Sequence, residues 1–120
     1  MYHLLDLLRK TKIITKIEIL NFIDEENIHL LHVKATLIDN SILFIRELTT
    51  KTENKYSYHW QTKTGKLICR WDNAPHYPKI ETFPHHKHLR TKNNVLPSKE
   101  TTLEEILKII TKEIKKKSKK

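Results

Sequence analysis

Residues 70–90, RWDNAPHYPKIETFPHHKHLR, hold three of the chain's four prolines and four of its eight histidines. Within that stretch, FPHHKH brings His85, His86 and His88 together around Lys87. Three readings fit such a cluster. Imidazole titrates near neutrality, so it can take a proton from one oxygen and give one to another. An RNA phosphodiester suits that chemistry, because the 2′-OH is a built-in nucleophile. Cleavage then needs a base, an acid and cations such as Arg70, Lys87 or Arg90 to stabilise charge on phosphorus, and no metal or other cofactor. Neutral imidazole is also the commonest metal ligand, and Asp72 and His76 would complete a ligand set, although no H-E-x-x-H spacing is present. The third reading is a solvated loop, in a basic module that grips RNA or an acidic partner without chemistry.

Backbone conformation decides which histidines cooperate. An extended chain after Pro84 puts His86 and His88 on one side and Phe83, His85 and Lys87 on the other. A helix would instead pair His85 with His88. Pro75, Pro78 and Pro84 each fix their own φ and push the preceding residue towards extended geometry. Residues 73–84 therefore read as an ordered, irregular connection, and stiffness there lowers the entropy lost in holding side chains in one geometry.

The elements that must position this stretch lie on either side of it. KLICRWD (66–72) alternates, so Leu67, Cys69 and Trp71 share one face while Arg70 and Asp72 are neighbours on the other. KYSYHWQT (55–62) does the same, with Tyr56, Tyr58 and Trp60 opposite Lys55, Ser57, His59 and Gln61. The only glycine, Gly65, lies between these two runs and predicts a tight hairpin. Upstream, ITKIEILNFID (14–24), IHLLHVKATLID (28–39) and SILFIRELT (41–49) read as strands, with a turn at Asp39-Asn40. In the first of them Ile17, Ile19 and Ile23 fall on one face. Residues 2–9 suit a short helix. After the proline-rich segment, Leu103, Ile106, Leu107, Ile110 and Ile114 recur at helical spacing, and Thr101/Glu104 or Thr102/Glu105 offers a capping box.

The expected fold is α+β: an antiparallel meander of about five strands, a short N-terminal helix, and a C-terminal amphipathic helix packed on one face. Residues 1–114 form one domain in this reading, and 115–120 form a basic, frayed tail. An exposed edge strand offers a seam for a homodimer.

The chain's 120 residues carry a formal charge of +9. Residues 1–83 contribute +2 and residues 84–120 contribute +7, so the field that attracts a polyanion or an acidic partner sits in the C-terminal third. One cysteine, Cys69, excludes an internal disulfide and a cysteine-based zinc cage. Asp6, Arg9 and Lys10 interrupt the start MYHLLDLLRK, which argues against a signal peptide. No run approaches the ~20 apolar residues of a membrane span. A soluble, cytoplasmic protein without membrane attachment is expected.

Three segments, KYSYHWQ, RWDNAPHYPKIETFPHHKH and VLPSKETTLEEIL, resemble the TumE-like toxins, and the likeness covers roughly residues 40–110. The resemblance implies a prokaryotic growth-inhibiting toxin of a type II toxin–antitoxin system, neutralised by a cognate antitoxin that carries a DNA-binding domain. It implies a polar signature at Glu47, Tyr56, Tyr58, His59, Arg70, Asp72, Asn73, His76, His85, His86, Lys87 and His88. Tyr77 stands where that pattern leads one to expect a second histidine. Taken with the acid–base reading, this points to a metal-independent ribonuclease. His85, His86, His88, His76, Asp72, Glu47, Tyr58 and His59 are then its catalytic candidates. Arg70, Lys87, Arg90 and Tyr56 are its candidate contacts to phosphate or nucleic acid.

Overall fold

Alternating apolar residues between positions 14 and 72 become five strands, and two shorter ones follow. The computed structural model describes residues 2–118. In chain order these are α1 (Tyr2–Lys10), β1 (Ile14–Glu25), β2 (Ile28–Leu37), β3 (Ile42–Thr50), β4 (Asn54–Gln61), β5 (Leu67–Asp72), β6 (His86–Leu89), β7 (Val95–Pro97) and α2 (Leu103–Ser118). Among the described residues the seven strands form one sheet in sequence order, every neighbouring pair antiparallel. The α+β meander is as expected, with two more strands than expected. β6 has four residues and β7 three. Runs so short, one histidine-rich and the other ending in proline, carry no apolar alternation from which a strand can be read.

Turn chemistry sets the register. Between β2 and β3, Asn40 adopts a left-handed φ of 69°, and the Asp39 carboxylate accepts the Ser41 N–H at 3.0 Å. Between β4 and β5, Gly65 takes φ 94°, which costs a residue without Cβ nothing.

Leu31, Val33, Ala35, Leu43, Ile45, Tyr58, Trp60 and Trp71 make the buried face of the sheet. Both helices cover that face. α1 contributes Leu8, and α2 contributes Leu103, Ile106, Leu107, Ile110 and Ile114. Each such side chain stabilises the fold by about 1.5–3 kcal/mol when fully buried. α2 starts at a capping box: the Thr102 hydroxyl accepts the Glu105 N–H at 3.3 Å and donates to the Glu105 carboxylate at 3.0 Å. Hydrogen bonds from the Thr101 N–H and the Thr102 hydroxyl hold the Glu105 carboxyl below its usual range. The helix runs on to Ser118, so Lys115, Lys116 and Lys117 occupy its last turn, where positive charge complements the macrodipole. Lys119 and Lys120 lie outside the described residues. No described helix is long and apolar enough to cross a membrane.

β1 departs from its expected pattern. A register shift between Ile19 and Asn21 puts Ile17, Ile19 and Phe22 opposite Ala35, Val33 and Leu31, and moves Ile23 to the other face opposite Leu30. One extra residue in a strand reverses the facing of everything after it. Ile19, Leu20 and Phe22 remain exposed on this edge strand.

The 73–84 connection is ordered by successive turns, with the Ile80, Phe83 and His85 N–H groups bonded to the carbonyls of Tyr77, Ile80 and Thr82. It folds over the face of the sheet away from α2, carrying Tyr77 onto the histidines of β6.

Candidate functional site

Cross-strand register builds the site. His32, Arg46, Ser57, Asp72 and His86 are successive partners from β2 to β6 and make one straight row. Lys34, Phe44, His59, Arg70 and His88 make the next. Directly paired residues share a face and lie about 5 Å apart, so both rows stand on the sheet face opposite the helices. Polar residues far apart in sequence thus become a continuous, mostly basic strip.

Asp72 is its centre. His86 Nε2 lies 3.0 Å from Asp72 Oδ1, and His88 Nε2 lies 3.7 Å from Oδ2. Arg70 Nε donates to Oδ2 at 3.2 Å, and the Ala74 N–H donates to Oδ1 at 3.0 Å. On the far side of each ring, Nδ1 of His86 donates to the Pro84 carbonyl at 3.0 Å and Nδ1 of His88 donates to the Lys92 carbonyl at 2.8 Å. A carbonyl only accepts, so each Nδ1 carries a proton and each Nε2 faces the carboxylate. Tyr77 meets both rings edge-on, with centroids 4.8 Å from His86 and 6.0 Å from His88. Relative exposures of 1% for His86, 7% for Asp72 and 8% for His88 set this cluster apart from a solvated loop.

Arg70 is steered from a second side. Its Nη1 approaches His59 Nδ1 at 3.3 Å. Burial, and then the adjacent guanidinium, lower the His59 pKa, so that ring stays neutral and accepts from Arg70. Above the cluster opens a cavity of about 540 Å³, whose walls include Arg46, Lys55, Arg70, His76, Tyr77 and Lys92. Among the described residues, Asp72 is the one carboxylate in its lining. Arg90, at the β6–β7 turn with φ 66°, borders an adjoining recess with His59, Arg70 and His88.

Glu47, Tyr56, Tyr58 and Lys87 take the helix-covered parity of their strands, and Tyr56 and Asn73 also border the cavity. Tyr58 donates to Glu47 at 2.6 Å. Burial raises the Glu47 pKa, against the opposing effect of the Tyr58 bond. It also raises the Tyr58 and Tyr56 phenols far above the range in which they act as bases. Tyr56 stacks on Tyr58 and bonds His85 Nδ1 at 2.7 Å. Lys87 pairs with Glu100 at 2.9 Å, which also accepts from Trp71 Nε1 at 3.4 Å. Asn73 clamps the start of β4, accepting the Tyr56 N–H and donating to the Asn54 carbonyl. Cys69 is buried, and burial pushes its thiol up to about 12, which removes it as a nucleophile.

The three-histidine cluster is therefore divided. His86 and His88 converge with Asp72 and Arg70, His76 stands exposed on the cavity lip, and His85 belongs to the tyrosine side. Glu47, Tyr58 and Lys87 do not join them. Arg46, Ser57 and His32 were missed by reading the sequence. Their only signal is a place on the polar parity of their strands, which becomes a site only once the register is known.

The chain matches a protein-family model described as Toxin TumE over residues 4–117. No curated protein and no solved structure matches it.

Proposed function

The chain belongs to the TumE toxin family, and from that premise we propose that it is a toxin that cuts RNA in the cavity above Asp72. The observation that carries this reading is the charge of that cavity. Arg46, Lys55, Arg70 and Lys92 surround it, while its single carboxylate is engaged by Arg70, the Ala74 N–H and His86. Such a basin attracts an anion and holds a phosphodiester. Tyr77 in its wall offers a face on which a base can stack.

In this reading the RNA 2′-OH attacks phosphorus as it loses its proton, the bond to the 5′ oxygen breaks, and that oxygen gains a proton. His76, the exposed imidazole of the lining, moves a proton in this exchange, while Arg70 and Arg46 meet the negative charge that builds on the phosphoryl oxygens. His59 positions Arg70. The family implies an antitoxin partner, which we take to carry the DNA-binding domain of the pair.

A 5′-labelled single-stranded RNA and the DNA of the same sequence, each incubated with the purified chain, test this. Cleavage of the RNA alone, reduced about 100-fold or more in Arg70→Ala, is expected. RNA that stays intact with a wild-type chain that still arrests growth would turn the reading into one of binding without chemistry.

A further inference from the structure

We propose that Asp72, His86 and His88 form a binding site for one divalent transition-metal ion of the zinc type. The inference rests on the reading of this pocket as the working site. It would replace the metal-free chemistry expected from the sequence.

Strand geometry supplies the donors. His86 and His88 alternate onto one face of β6, and Asp72 is the direct cross-strand partner of His86. One ligand atom from each lies within 4.8 Å of the other two, and among the described residues this is the one such group of three. An ion bound at about 2.1 Å in tetrahedral geometry keeps its ligands about 3.4 Å apart. The observed separations, 3.0 Å from His86 Nε2 to Oδ1 and 3.7 Å from His88 Nε2 to Oδ2, lie on either side of that value, each to its own carboxylate oxygen.

Hydrogen bonding orients the donors. Both Nδ1–H groups are committed to backbone carbonyls, so both Nε2 atoms are turned towards the carboxylate oxygens, where a proton or a metal ion bridges ring and carboxylate. A carbonyl behind each imidazole is also the outer-shell arrangement that fixes the tautomer of a metal-bound histidine. The remaining capacity of Asp72 is filled by Arg70 and the Ala74 N–H, which hold the carboxylate in place.

The donor set selects the class of ion. Two imidazoles and one carboxylate suit zinc, cobalt, manganese or iron, whereas calcium and magnesium prefer oxygen ligands throughout. Three protein ligands leave at least one position open, as in a catalytic rather than a structural site. That position would be reached from the Arg46- and Arg70-lined cavity.

The test uses the full chain, freed of metal with a chelator and titrated with Co²⁺ and then with competing Zn²⁺. One Co²⁺ per chain, giving visible ligand-field bands that one equivalent of Zn²⁺ abolishes, is the expected result. Asp72→Asn and His88→Gln should weaken binding by more than the 10–100-fold typical of outer-shell changes. His76→Ala and His85→Ala should leave it unchanged. Circular dichroism identifies which variants fold; if Asp72→Asn does not, His88→Gln carries the comparison from the pocket side. Failure of the folded wild-type chain to bind one ion, or binding that survives in the folded Asp72 and His88 variants, would overturn the proposal. RNA cleavage by a metal-free chain that binds no Co²⁺ would remove the metal and keep the ribonuclease. Stoichiometric Co²⁺ binding with no RNA cleaved, with or without Zn²⁺, would do the reverse.

Discussion

Asp72 and His86 face each other directly across the β5–β6 ladder, with 3.0 Å between carboxylate oxygen and ring nitrogen. The pair couples the stability of the short sixth strand to the site it builds. Removing the carboxylate leaves His86, Arg70 and the Ala74 N–H without their acceptor. Asp72→Ala should therefore lower stability by about 3 kcal/mol, the low end for breaking a buried charged pair, because Arg70 is partly solvated. Chemical denaturation measures it. A change within about 0.5 kcal/mol would mean that the carboxylate contributes little to the fold.

Glu47 provides a pH prediction of defined sign. Burial raises its folded pKa above the ordinary 4.5, so its charged form is the costly one. The stability it contributes is complete below about pH 4.5 and is lost as pH rises through the higher folded value. Glu47→Gln keeps an acceptor for Tyr58 but cannot ionise. The variant's stability relative to wild type should rise between acidic and neutral pH and be flat below that window. Denaturation midpoints from pH 4 to 8 follow it, and a gap independent of pH would contradict the assignment.

Arg46 is half of a cross-strand pair with Ser57 on the open face and lines the cavity. If it meets phosphate, Arg46→Ala should weaken RNA binding for all sequences alike. The slope of log affinity against log salt should then drop by about one. Fluorescence anisotropy at several salt concentrations measures this, and an unchanged slope would place the RNA elsewhere.

Leu107 lies at 4% exposure beneath α2. Leu107→Asp puts a carboxylate into the helix–sheet contact and should cost about 3 kcal/mol or more. An unaltered melting temperature would show that the helix does not depend on that contact.

Much of this architecture was legible because long strands and the last helix advertise their periods. Leu31, Val33, Ala35 and Leu37 alternate, and Leu103 to Ile114 recur at helical spacing. β6 and β7 were hidden by shortness, and the facing of Ile23 by a one-residue shift in β1 that no composition signals. The extended backbone after Pro84 was foreseeable as one of two options, and with it the separation of His86 and His88 from His85 and Lys87. The Arg70–Asp72 proximity followed from strand parity. What parity cannot supply is which strand lies beside which residue. Glu47 and Tyr58 became candidates through the family resemblance, and in the structure each satisfies the other on the helix side of the sheet. Arg46 looked unremarkable until the register set it in line with Asp72.

The central claim is that the open face, and not the helix-covered one, carries the activity. It is tested most directly by comparing single-turnover RNA cleavage by Arg70→Ala and Lys87→Ala, which alter cations on opposite sides of the same sheet. The account expects a loss of about 100-fold or more for Arg70→Ala and a rate within about threefold of wild type for Lys87→Ala. A rate that collapses with Lys87 and survives without Arg70 would contradict it.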